Sequence, residues 1–178
     1  MKGAIIFLLF AFALSDNASI IWNTLLESGM TKAGVAGTMG YLNYVSGLNS
    51  CIYQISYKQK LGNISFQEYC DRVNKGTYSA KSFIYDSIGF GLAQWAFWSV
   101  KQELYENCKG KIGDLNCQLK FLIKNMKKIG PWSTLTKSND VKVCSNEINV
   151  KYGSTEDQDV ISQRKRYNFA LNFYNRFK

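Results

Sequence analysis

The chain has 178 residues, a formal net charge of +9, 46% hydrophobic and 20% charged positions, enough for one globular core and too short for two full domains. It contains no histidine, which excludes Ser-His-Asp and Cys-His nucleophile systems and every His-ligated metal site. The acids and bases that remain are carboxylates and tyrosines, and no pattern calls for a cofactor or a metal.

Met1-Lys2 gives a short basic start, and Ala4 to Leu14 is an unbroken apolar run of 11 residues. The run is too short to span a bilayer and fits a signal-peptide core, with small residues placing cleavage after Ser15. A buried N-terminal helix is the other reading of the same run. Cleavage would leave 178 − 15 = 163 residues and lower the charge from +9 to +8, since only Lys2 is lost among the basic residues. No later segment suits a membrane span, so the expected location is extracellular.

Five cysteines (Cys51, Cys70, Cys108, Cys117 and Cys144) lie beyond residue 15, and none forms a C-x-x-C pair. In an oxidising compartment disulfides are the default, and two bridges plus one free thiol is the simplest sum. Five choices of free thiol and three pairings of the rest leave 15 arrangements. Cys51–Cys70, which closes one local loop, is the pairing expected. Asn17-Ala18-Ser19 and Asn63-Ile64-Ser65 are glycosylation sequons in a eukaryotic secretory pathway.

Asn17 or Ser19 can cap a first helix over Ile20–Ser28 that buries Ile21, Trp22 and Leu25, with Gly29 as its left-handed stop. Thr31 caps a second helix ending at Ser46 before Gly47, with Val35, Met39 and Leu42 at helical spacing. Gly34, Gly37 and Gly40 recur every third residue. Each weakens an isolated helix by ~1 kcal/mol, so they imply close approach of another backbone or a phosphate-binding turn. Leu48 to Tyr85 reads as loops with a short helix at Phe66–Asn74 and a hairpin near Tyr53–Leu61. Further helices are predicted at Trp98–Asn107, Leu115–Lys127, Val141–Lys151 and Asp157–Arg176. Asp114 caps the helix that buries Leu119, Leu122 and Ile123, and Pro131 falls in a loop.

Gly89-Phe90-Gly91-Leu92-Ala93-Gln94-Trp95 is the most distinctive stretch. Its glycines, Gly91 among them, can bring backbone close to a ligand, and Gln94 offers both donors and acceptors. Trp95, Phe97 and Trp98 add flat surfaces of the kind that stack on sugar rings; an aromatic core cluster is the alternative.

This stretch resembles the GYGLAQW motif of the phage tail lysozyme domain, a relative of goose-type lysozymes and lytic transglycosylases. Other segments resemble that family in order and spacing. Ile21-Trp22-Asn23 resembles its "IWN", Val35 to Gly40 its "VAGILG", and Ser46-Gly47-Leu48-Asn49 its "SGLN". Ile112 to Leu119 resembles "IGDLNTQLEFL", and Arg164–Tyr174 resembles its closing "KR..YA..YY". The likeness spans Ile20 to Phe177. It implies a mainly α-helical, single-domain, goose-type lysozyme-like fold over 16–178 with a small irregular or β lobe. It also implies β-1,4-linked peptidoglycan strands as substrate and one glutamic acid that protonates the glycosidic oxygen.

The family glutamate ends the second helix, in "GNLQAESGLN". Here that stretch reads Gly40-Tyr41-Leu42-Asn43-Tyr44-Val45-Ser46-Gly47-Leu48-Asn49, so Val45 holds the general-acid position. Valine has no proton to give, and general acid catalysis is worth roughly 10²–10⁴-fold in rate. Tyr44 is turned about 100° away on the helix and its ordinary pKa near ~10 suits it poorly. Glu27 and Glu68 lie elsewhere. Asp86 matches a family aspartate just before the glycine motif and is the one substitute, with a loop cap as its other role. The family's late acidic residue after a "KF" pair is missing too, because Lys151-Tyr152 is followed by Gly153.

Three functions follow as expectations. One is a degenerate lysozyme that keeps a glycan groove (Gln94, Trp95, Tyr44, Gly91, Trp98) and binds with little or no cutting. Another is an active peptidoglycan hydrolase that uses Asp86. The last is a cationic protein that adheres to anionic walls or membranes, through clusters such as Lys124–Lys128 and Arg164–Arg166, which are otherwise solvated helix faces. Nucleic acid is not an expected partner, and a monomer is expected.

Overall fold

The structure, a computed structural model, describes residues 17–153 and 159–178. Nine α-helices and no β-strand are present among the described residues. They are α1 (17–27), α2 (Lys32–Ser46), α3 (Phe66–Asn74), α4 (Ala80–Tyr85), α5 (Trp98–Asn107), α6 (Leu115–Ile129), α7 (Trp132–Lys137), α8 (Val141–Tyr152) and α9 (Val160–Phe177). None of them is long and apolar enough to cross a membrane. The predicted signal peptide and Asp157, where the last helix was expected to begin, lie outside the described residues. The chain divides into two compact units. One takes the described residues up to Tyr44 together with those from Met126 onward, and the other takes Val45–Asn125.

In the first unit, α1 is already helical at residue 17, so Ser19 sits inside the helix rather than capping it. Its apolar face, Ile21, Trp22 and Leu25, is buried, and Trp22 stacks on Phe177 of α9 at 5.0 Å between ring centroids. Thr31 caps α2 as predicted, its Oγ1 accepting from the Gly34 N–H at 3.0 Å. The same hydroxyl donates to the Ser138 carbonyl at 2.5 Å, which ties the start of α2 to the end of α7. Pro131 falls in the turn between α6 and α7, as expected, and is the N-cap of α7, where a missing N–H costs nothing and its φ of −72° is helical already.

The glycine stripe of α2 is a packing device. A Cβ on Gly34 would collide with the Leu135 carbonyl, one on Gly37 would lie 2.8 Å from backbone atoms of Cys144 and Ser145, and one on Gly40 would lie 2.5 Å from the Arg166 carbonyl oxygen. Three other helices therefore approach one face of α2 at backbone distance. Gly40→Ala gains ~1 kcal/mol of helix propensity. Overpacking against the backbone of α9 costs about 1–3 kcal/mol. The expected result is a lower urea midpoint at unchanged slope; an unchanged or raised midpoint would refute the close-approach reading.

Cys144 of α8 is fully buried and unpaired in any disulfide, and burial pushes its thiol up from the ordinary value. A buried thiol held as the neutral form is a poor nucleophile. A chromogenic thiol reagent should therefore detect no thiol in the folded protein and one after unfolding without reductant.

The second unit is built on aromatics and cysteines. Tyr53, Tyr69, Phe83 and Phe90 form a buried cluster, with Phe83 and Phe90 edge to face at 5.4 Å. Cys51–Cys70 forms the predicted bridge, with Cα atoms 5.8 Å apart, and Cys108–Cys117 forms the second, at 5.6 Å. The hairpin expected near Tyr53–Leu61 does not form. A 3-10 turn at Ile55–Tyr57 takes its place, and Tyr53 makes an isolated antiparallel bridge with the distant Phe90 instead. The irregular lobe is thus present, but its β content is two isolated bridges among the described residues. Helix α3 has the predicted bounds, capped by Ser65. Helix α4 was not predicted: it is six residues long, less than two turns, and carries no readable period.

Candidate functional site

The distinctive motifs of the sequence meet around one buried amide. Gln118, on the inward face of α6, is fully buried. Its Nε2 donates to the Ser50 carbonyl at 2.7 Å and the Ile112 carbonyl at 2.6 Å. Its Oε1 accepts from the Leu92 N–H at 2.9 Å. One side chain therefore joins the turn after α2, the turn before α6 and the glycine loop. Position 91 must be glycine beside it, because φ is +73° and a Cβ would fall 2.6 Å from Gln118 Oε1.

The glycine loop also braces itself. Phe90 and Trp95 exchange backbone hydrogen bonds at 3.1 and 2.9 Å, and the Gly91 N–H donates to the Ile52 carbonyl at 2.8 Å. Gln94 has a left-handed φ of +52°. Its Nε2 donates to the Gly91 and Ile52 carbonyls at 3.2 and 3.3 Å, so its amide donor holds the loop shut. Trp95 is only 6% exposed and packs edge-on against Phe121 at 5.2 Å. The aromatic surface that reaches solvent is at the start of α5. Trp98 is 48% exposed and stacks on Tyr85 at 6.0 Å with an interplanar angle of 17°, and Phe97 is 68% exposed.

Asp86 caps the turn after α4, its expected other role, and is sealed by side chains as well. Its Oδ2 accepts from the Tyr69 hydroxyl at 2.7 Å and the Tyr78 hydroxyl at 3.2 Å. Its Oδ1 accepts from the Ile88 N–H at 2.8 Å and forms an ion pair with Lys101. The Asp86 side chain is 8% exposed and that of Lys101 is 0% exposed. Lys101 also donates to the Ile88 carbonyl at 3.0 Å and lies over the Phe83 ring at 4.3 Å. Burial lowers the Lys101 ammonium from its ordinary value, and the Asp86 charge opposes that shift. Burial, then the Asp86 charge, push the Tyr69 hydroxyl strongly up and that of Tyr78 up to about 12, so both remain protonated donors at neutral pH. An acid whose two oxygens are filled by four donors has no free proton position to offer a glycosidic oxygen.

Val45 stands in the last turn of α2, half-buried, with no carboxylate on that helix. The other described carboxylates of its unit are engaged. Glu68 pairs with Arg72 at 2.7 Å, Asp71 accepts from Gln67, Glu106 accepts from Gln102, Asp114 caps α6 as predicted, and Glu103 has a partner as well. In the other unit, Tyr44 shares a hydrogen bond with Ser162 at 2.8 Å and faces the Arg166 guanidinium at 4.6 Å. Among the described residues no group of three His, Cys, Asp or Glu side chains could hold a metal ion.

Sequence reasoning missed Lys101, Tyr69, Tyr78 and the role of Gln118. One signal was available. Lys101 precedes Leu104 by three residues, which places a lysine on the inward face of α5 and demands a buried counter-charge.

No curated protein and no solved structure matches the chain significantly. The phage tail lysozyme family model matches residues 16–177, nearly the whole chain. The chain belongs to the phage tail lysozyme family, whose function is lysozyme-like and directed at peptidoglycan.

Proposed function

We propose that this protein is an exported lysozyme relative that binds peptidoglycan glycan strands and cuts them feebly or not at all. The single observation that carries the reading is Val45, an aliphatic side chain at the family's general-acid position. The engagement of Asp86 by two tyrosines, a backbone N–H and Lys101 supports it further, because it removes the one substitute acid. Export rests on the N-terminal apolar run, and the two disulfides agree with an oxidising compartment. Gln94, Gly91 and Trp95 are retained from the family pattern, whereas Tyr44 stands where that pattern has alanine. In this reading the exposed Trp98, stacked on Tyr85, supplies the sugar-facing ring, and Gln94 and Gly91 keep the loop in shape.

The test is a sedimentation assay on insoluble peptidoglycan beside a turbidity assay on the same walls. The native chain should co-sediment, release binding when soluble chitooligosaccharide is added, and leave turbidity unchanged. Robust clearing by the native chain would reject the proposal. Binding that ignores the oligosaccharide and collapses between about 50 and 300 mM salt would favour wall adhesion by the +9 net charge instead.

A further inference from the structure

We propose that Asn63 is an N-glycosylation site and that Asn17, in the other sequon, is not. The proposal rests on the export reading above and adds a covalent modification to it. Two Asn-x-Ser sequons are equal as sequence, and their places in the fold separate them.

Asn63 sits at the tip of an exposed turn. Gly62 and Asn63 take successive left-handed conformations, φ +76° and +59°, and asparagine is among the few side-chain-bearing residues that adopt that region readily. The backbone on either side is held. The Asn63 N–H donates to the Lys58 carbonyl at 2.8 Å, and the Tyr53 hydroxyl donates to the Ile64 carbonyl at 2.5 Å. Among the described residues the Asn63 carboxamide itself has no hydrogen-bond partner. Ser65, the third sequon residue, is exposed, and its Oγ accepts from the Glu68 N–H at 3.1 Å, which leaves its own hydroxyl proton free. A large polar group on Nδ2 displaces nothing here. The sequon lies within the loop closed by the Cys51–Cys70 bridge, which agrees with maturation in an oxidising compartment.

Asn17 differs on each count. It lies in α1, is half-buried and engaged, and its neighbour Ala18 is 1% exposed against the core. A glycan there would have to leave from a packed helix.

The reaction requires a polyprenyl-diphosphate-linked oligosaccharide as donor. Asn63 Nδ2 forms a bond to the anomeric carbon as the bond from that carbon to the phosphate oxygen breaks. The lipid diphosphate leaves with the electron pair, and one amide proton passes to a base on the transferase.

The full chain is produced in a eukaryotic secreting cell in two forms, one with its own N-terminus and one with residues 1–15 replaced by a leader that the host secretes. The secreted protein is weighed by mass spectrometry before and after peptide-N-glycosidase. One glycan is expected, lost in Asn63→Gln, retained in Ser65→Thr and retained in Asn17→Gln. A secreted but unmodified chain overturns the proposal, and so does any glycan lost in Asn17→Gln. Modification seen only with the replaced leader supports the site and refutes the export reading. Absence of glycan in that second form refutes the site whatever the native leader does.

Discussion

Val45→Glu is expected to raise peptidoglycan hydrolysis roughly 10²–10⁴-fold above the native chain. The position lies in the last turn of α2, a helix with no basic residue in that turn. Unpaired carbonyls at a helix C-terminus disfavour a nearby carboxylate and so favour its protonated form. Half-burial of the side chain acts in the same direction. A general acid must hold its proton near neutral pH and release it as the glycosidic bond breaks, so the environment suits the missing residue. Val45→Gln is the control, since it matches glutamate in shape and has no acidic proton. Turbidity clearing by the glutamate variant and none by the glutamine variant is the predicted outcome. A folded glutamate variant that binds walls and stays inert would show that more than the acid has been lost.

Asp86→Asn is expected to destabilise the protein by about 3–5 kcal/mol. The reason is the ammonium left behind: Lys101 is fully buried, and without Asp86 it keeps the Ile88 carbonyl and the Phe83 ring but has no counter-charge to offset its desolvation. Tyr69 and Tyr78 also lose a charged acceptor for their hydroxyls. At about 2–4 °C per kcal/mol for a chain of this size, the thermal midpoint should fall by roughly 6–20 °C. Asp86→Asn combined with Lys101→Met should recover much of the loss, because both charges are then gone. This result separates the two roles of Asp86. A catalytic acid would give a variant of normal stability that fails to cut, whereas the ion-pair role predicts a variant that melts early. An unchanged midpoint in Asp86→Asn would overturn the structural role.

Local sequence signals located many of the elements. Thr31 and Gly47 bracket α2, Ser65 opens α3, and the apolar spacing of α5 and α6 is visible without coordinates. These signals work because capping and helical periodicity involve residues within a turn or two of each other. The six-residue helices α4 and α7 escaped notice because two turns are needed for a period to be read. The hairpin near Tyr53 failed for a different reason. Tyr53 has strand character, but its partner is Phe90, and no local pattern names a partner so far along the chain.

The candidate site divides along the same line. By itself the sequence determined the family motifs and the valine at position 45, and it made Cys51–Cys70 the expected one of 15 arrangements, all from residue identity and spacing. Only the tertiary structure decided that Asp86 is sealed against Lys101, that Gln118 joins three motifs, that Trp95 is interior while Trp98 is exposed, and that Asn63 and Asn17 are unequal. What a polar or aromatic side chain does depends on whether water or a distant segment meets it, and burial is set by contacts that only the folded chain brings together.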